Sequence, residues 1–158
     1  MPRTSTAELP PSLRRAVTLT WVLVGVILAL TVLGLAWRDL VLRAIFEGPD
    51  TREARVAFEQ RYVVSTALGG AVRAALLGVV GLFLARGAAW ARIVLSLLVA
   101  TGVLLSVPTL VQGALGQPLL ITALQVAVPV LSAAILYHLW RAETRRWFRT
   151  RRERRAGD

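Results

Sequence analysis

Four stretches of the sequence, 16–37, 63–85, 93–111 and 119–140, each run for close to the length of about 20 residues that a helix needs to cross a bilayer. Arg73 is the one charged residue inside them. A soluble helix carries a polar stripe that recurs with the helical repeat. These runs are apolar on every side, as a segment surrounded by hydrocarbon must be. Together they take up just over half of the 158 residues and leave no room for a separate soluble domain. The first run is too long for the apolar core of a cleavable signal. Trp37-Arg38-Asp39 follows it in place of a small-residue cleavage site, so it reads as a retained span.

The charge then sets an orientation. All 19 basic residues are Arg, against nine acids, for a net charge of +10. In a soluble protein that excess would suggest nucleic acid, but the chain is 56% hydrophobic. Thirteen of the Arg lie in the N-terminal tail 1–15, the connection 86–92 and the C-terminal tail 141–158. The loop 38–62 holds five Arg balanced by five acids, and 113–118 holds no charge. The positive-inside rule therefore places both termini in the cytoplasm and the 38–62 loop outside. Trp37, Trp90 and Trp140 fall at span ends and Trp147 in the tail, where amphipathic rings anchor at headgroup level.

The connections are informative in different degrees. In the external loop, residues 38–46 read as an extension of the first helix, which Gly48-Pro49 breaks. Asp50 and Glu53 resemble a capping box that opens a new amphipathic helix over 51–62. That helix lies on the membrane or leads into span two, or else offers a docking surface to an external partner. Arg55 and Glu59 are spaced to pair on it. Spans two and three turn tightly at Gly87, and spans three and four join through 113–118, connections short enough for antiparallel neighbours. Pro129, in the middle of span four, removes a helix hydrogen bond and predicts a kink. Gly70, Ala74 and Gly78 recur every four residues in span two. Ser96 and Ala100, Gly102 and Ser106, and Ala123 and Ala127 repeat the spacing, as small residues do where helix backbones approach closely.

Arg73 stands apart. It lies 13 residues from Arg86, the inner boundary, or about 20 Å along a helix. In a core about 30 Å thick that leaves about 10 Å to the outer surface, and a central Arg costs about 2.5–3.5 kcal/mol on insertion scales. No Asp or Glu lies in any span. Three readings follow. Arg73 snorkels to outer-leaflet phosphate or to a loop acid such as Glu59, it pairs with an acid of another membrane subunit, or it lines an anion pathway.

The C-terminal tail contains Arg141, Arg145, Arg146, Arg149, Arg151, Arg152, Arg154 and Arg155. Trp140, Thr144, Trp147 and Phe148 recur at helical spacing, so the last span is expected to run on as an amphipathic helix. Its Arg face would meet anionic lipid of the inner leaflet at about 1 kcal/mol per residue. A cytoplasmic protein partner and non-specific nucleic acid are the weaker alternatives for this charge. His138, alone at the inner end of span four, cannot build a metal site. With no Cys, one His and no base beside a span Ser, the chain offers no thiol, metal or triad chemistry and no cofactor ligands. No membrane-embedded carboxylate is present for proton coupling.

The string RGAAWARIVL from Arg86 to Leu95, with RRWFR at Arg145 to Arg149, resembles small four-span membrane proteins of high-GC Gram-positive bacteria over 67–149. The Arg-for-Lys bias fits a GC-rich genome. That resemblance implies no activity and no site. The expectation is an all-α membrane protein: an antiparallel up-down bundle of four transmembrane helices with an Arg-rich C-terminal helical tail. It would be a non-catalytic accessory, assembly or scaffold component of the cytoplasmic membrane, in contact with lipid and with another subunit or a second copy. The alternative is a small oligomeric transporter or channel subunit with Arg73 at an anion pathway. Protease added outside sealed, right-side-out vesicles should spare both tails and cut only within 38–62; cleavage of the C-terminal tail from outside would reverse the orientation.

Overall fold

The structure is a computed structural model that describes residues 10–39, 51–113, 119–144, 146, 147 and 149. Of these, 94% are helical and none is in a strand. Four helices follow in order: α1 (Pro11–Ala36), α2 (Arg52–Ala85), α3 (Ala89–Gly113) and α4 (Leu119–Trp140). Three of them, α1, α2 and α4, are long and apolar enough to cross a membrane. The expected third span, 93–111, falls within α3, whose side chains are described only through Leu104 and at Ser106. The connection 114–118 and most of the external loop, 40–50, lie outside them as well.

Helix ends show where sequence reading needed correction. The first helix begins at Pro11, five residues before the apolar run, because a proline at the first helical position has its φ already set and no amide to satisfy. Arg14 and Arg15 therefore ride on α1 instead of in a tail. The cap of α2 is Thr51, not Asp50: its hydroxyl accepts from the Ala54 amide at 3.3 Å. Asp50 itself lies outside the described residues. The amphipathic segment of the loop and the second span are one continuous helix of 34 residues, about 51 Å long and so longer than the hydrocarbon core is thick. At the other end of α2, Gly87 takes φ 77°. The Ala88 and Gly87 amides donate to the carbonyls of Phe83 and Leu84 at 3.0 and 2.9 Å, a Schellman closure that turns the chain into α3. That is the tight turn the glycine predicts.

α1 packs against α2 and α4, and α3 packs against α2 and α4. The buried residues recur at three- and four-residue steps: Leu13, Ala16, Thr20, Leu23 and Ile27 in α1; Ala74, Leu77, Gly81 and Leu84 in α2; Val128, Ser132, Ile135 and Leu139 in α4. This is the spacing that lets ridges of one helix enter grooves of the next. The outside is the more apolar surface. Leu119 is 86% exposed and Leu104 73%, while Ser12, Thr20, Ser132 and Thr144 are buried. A soluble protein does not leave so many large apolar side chains uncovered.

The seam between α1 and α2 explains part of the small-residue spacing. A Cβ on Gly70 would overlap Thr31, whose Oγ1 it would strike and whose Cγ2 would lie at 2.8 Å. One on Gly81 would stand 3.3 Å from the Thr20 methyl. Both threonines donate their hydroxyls to the carbonyl one turn back, Thr20 to Ala16 and Thr31 to Ile27, each at 2.8 Å. Their polar ends are thus satisfied within α1 and their methyls are free to pack on glycine. Gly78 faces the Trp21 ring. The sequence spacing identified Gly70, Ala74 and Gly78; Gly81, one step further on the same face, also belongs to it. Gly70→Ala should separate α1 from α2 and cost about 1–3 kcal/mol, measured as a lower thermal midpoint in detergent, and Thr31→Ala in the same chain should restore most of the loss.

Candidate functional site

The side chain of Arg73 leaves α2 toward α3, where its guanidinium occupies the space that a Cβ on Gly102 would need. Only glycine lets the group lie against the α3 backbone there. Half-buried, Arg73 borders a cavity of about 520 Å³ that is lined by residues of all four helices and open on one side. The polar groups around this cavity are Thr31, Tyr62, Ser65, Thr66, Ser106 and Gln125, and its larger apolar wall includes Ile27, Ile121 and Val128. Among the described residues no carboxylate lines it.

The hydroxyls are held by the helices themselves. Tyr62 donates across the seam to the Gly34 carbonyl at 3.3 Å, Ser65 donates to Tyr62 at 3.1 Å, and Ser106 donates to Val103 at 2.8 Å. They make the cavity polar without supplying charge to offset the guanidinium. Among the described residues Arg73 has no hydrogen bond and no ion pair. Glu59, the loop acid expected within its reach, is instead paired with Arg38 Nε at 3.2 Å, which joins the end of α1 to the outer part of α2. That reading of Arg73 is corrected: Glu59 precedes it by 14 residues on one straight helix, about 21 Å away, too far for a side chain to span. Pro129 sits inside a continuous α4 and has no amide hydrogen for the carbonyl of Gln125, a cavity residue.

The interface residues are placed as follows. Trp37 ends α1 and Trp90 opens α3, both exposed, with Trp90 packed 5.1 Å from the Phe83 ring across the Gly87 turn. Trp140 ends α4, donates from Nε1 to Ser96 Oγ at 3.2 Å and carries Arg92 over its ring at 4.9 Å. Trp147 is partly buried and packs against the core. The last span does not run straight on; after Arg141 the described residues 142–144, 146, 147 and 149 are again helical. The chain bends at Arg141, and Thr144 folds back to meet the start of α1, hydrogen-bonded to Ser12 at 2.9 Å and to the His138 carbonyl at 3.1 Å. Thr144 is 0% exposed. Arg141, Arg146 and Arg149 are exposed, and Arg141 lies over the Tyr137 ring at 5.7 Å. Arg145, Arg151, Arg152, Arg154 and Arg155 lie outside the described residues. His138 stacks edge-on to Tyr137 at 5.4 Å, and its Nδ1 has no hydrogen-bond partner among the described residues.

Sequence reading singled out Arg73. Thr31, Ser65, Thr66, Ser106 and Gln125 are visible in the sequence among the uncharged polar residues of the spans that could face Arg73; Tyr62 is not, and neither is the meeting of all six at one cavity. These five hydroxyls and one amide come from four different helices, and only packing brings them together. Gly102 and Ser106 were paired as small residues; the contact with the guanidinium was not expected. No protein family, curated protein or solved structure matches the chain. Because Arg73 is held by no described acid, Arg73→Leu should raise thermal stability in neutral detergent, by on the order of 1–2 kcal/mol. A loss of stability of that size would make the residue a structural one.

Proposed function

We propose that this chain is a non-catalytic, four-span integral protein of the cytoplasmic membrane, an antiparallel up-down bundle with both termini inside. Its working site is the Arg73 cavity, which binds an anion, and the protein acts as a small oligomeric transporter or channel subunit. The observation that carries this reading is one guanidinium, without an acid among the described residues, at the edge of a polar cavity between apolar helices. A charge retained at such a cost in hydrocarbon marks a function more often than a fold requirement. The polar wall gives an entering anion partial solvation, and the guanidinium supplies up to five donors in a fixed fork. The exposed arginines at the opposite, cytoplasmic end fit contact with anionic lipid of the inner leaflet.

A second reading keeps the protein as an accessory, assembly or scaffold component, in which an acid of another subunit reaches Arg73. It is favoured by the open face between α2 and α3, where Leu68, Val72 and Leu97 around Arg73 are exposed. Purification in mild detergent separates the two. The first predicts a homo-oligomer that conducts small anions such as chloride or phosphate in liposomes, with Arg73→Ala lowering the flux about tenfold or more, the loss of a charge-assisted contact. A stoichiometric foreign subunit that dissociates on Arg73→Glu, with no anion flux, would establish the second.

A further inference from the structure

Arg73 borders a second space besides the polar cavity. Between α2 and α3 lies an apolar groove, also about 520 Å³, whose walls include Leu68, Val72, Leu76, Leu97 and Leu98. Arg73 and Gly69 line both spaces, so the two meet at the guanidinium. Tyr62, Ser65 and Thr66, the polar residues that α2 gives the cavity, all precede Arg73. The groove flanks Arg73 on both sides, from Leu68 to Leu76 on α2 and from Leu97 to Gly102 on the opposed α3, and apart from Arg73 its one polar side chain is Thr101. Leu97 is 64% exposed, so the groove is open at the lipid-facing surface.

We propose that the two spaces form one site for an anionic phospholipid, with its phosphate on the Arg73 guanidinium and an acyl chain in the α2–α3 groove. The proposal rests on the anion-binding reading above and names the ligand. Charge complementarity selects the head: a cation without a described acid partner calls for an anion, and a fork of N–H donors suits phosphate oxygens. The apolar groove selects the tail. The position of the polar residues before Arg73 selects the leaflet, the one at the N-terminal end of α2, which is the outer leaflet in the orientation proposed. Residues Tyr62, Ser65 and Thr66 provide a polar path by which a headgroup reaches a guanidinium that lies below the ordinary phosphate level. Gly102 makes room for the guanidinium at the junction, because a Cβ there would displace the far end of the Arg73 side chain without removing its charge.

The test replaces Leu97 with a photoreactive benzophenone amino acid in the full chain, reconstituted in vesicles of phosphatidylglycerol and phosphatidylcholine. The same probe at Val130, exposed on α4 and lining neither space, reports bulk lipid. Phosphatidylglycerol should be captured at position 97 about fivefold above its share at position 130, the effect of one well-placed cation on an anionic lipid. Both Arg73→Gln and Gly102→Ala should bring the two positions level. Equal capture at both positions in the unaltered chain would overturn the lipid site. If inorganic phosphate still binds the detergent-solubilised protein in an Arg73-dependent manner, the anion reading stands without it. If phosphate does not bind either, both fall. Capture of a protein band in place of lipid at position 97 would give the groove to another subunit.

Discussion

The close approach of α1 to α2 is the contact on which the rest of the molecule depends. In hydrocarbon no water competes for apolar surface, so helices gain little by merely being hydrophobic and must gain by fitting. Here the fit is made by glycines on α2 against threonines on α1, Gly70 on the Thr31 hydroxyl and methyl and Gly81 on the Thr20 methyl. The hydroxyl of each threonine is tied to its own helix, so a polar residue can serve as an apolar packing surface. This seam fixes the rotation of α2. With Gly70, Ala74 and Gly81 turned toward α1, Arg73 is turned toward α3 and the cavity.

Large apolar side chains lie on both sides of this molecule: Leu13, Leu23, Leu77, Leu84, Leu95, Ile135 and Leu139 fill the core, Leu97, Leu104 and Leu119 are among those on the outside, and a few hydroxyls such as Thr20 and Ser132 are buried with the core. Thr20 and Thr31 donate to a carbonyl one turn back and Tyr62 to one across the seam, which is how a membrane helix carries polar residues without breaking its backbone pairing, whereas the buried Ser132 hydroxyl has no partner among the described residues. Arg73 does not follow that rule. A guanidinium cannot be satisfied by the helix that carries it, so it is the position where the molecule is left open to something from outside itself.

How much of this was legible beforehand follows from the range of each signal. Apolar run length is a local property, and the spans appeared in the sequence at 119–140 with the ends that α4 has. Helix ends governed by short-range chemistry were nearly legible: the cap of α2 was displaced by one residue, from Asp50 to Thr51, and Gly87 turned as its type requires. Long-range contacts were not legible. Glu59 pairing with Arg38 depends on how the end of α1 meets α2. The polar residues around the Arg73 cavity are scattered from Thr31 to Gln125, and nothing in their spacing announces a common wall. The return of Thr144 to Ser12 was hidden because helical periodicity across 140–148 gave no sign of the bend at Arg141.

That return has a consequence for how the molecule is made. α1 touches α2 on one side and α4 on the other, and the buried hydrogen bond between Ser12 and Thr144 joins segments 132 residues apart. α1 therefore keeps one flank uncovered until α4 is in place, more than a hundred residues later, and the circuit of helices shuts only then. A chain that stops before α4 leaves that flank of α1 open, and one that stops between α4 and Thr144 leaves the Ser12 hydroxyl without this partner. Closure of the circuit and burial of Ser12 thus depend on residues made long after α1, so a copy cut short of Thr144 is chemically distinguishable at the Ser12 end of the bundle.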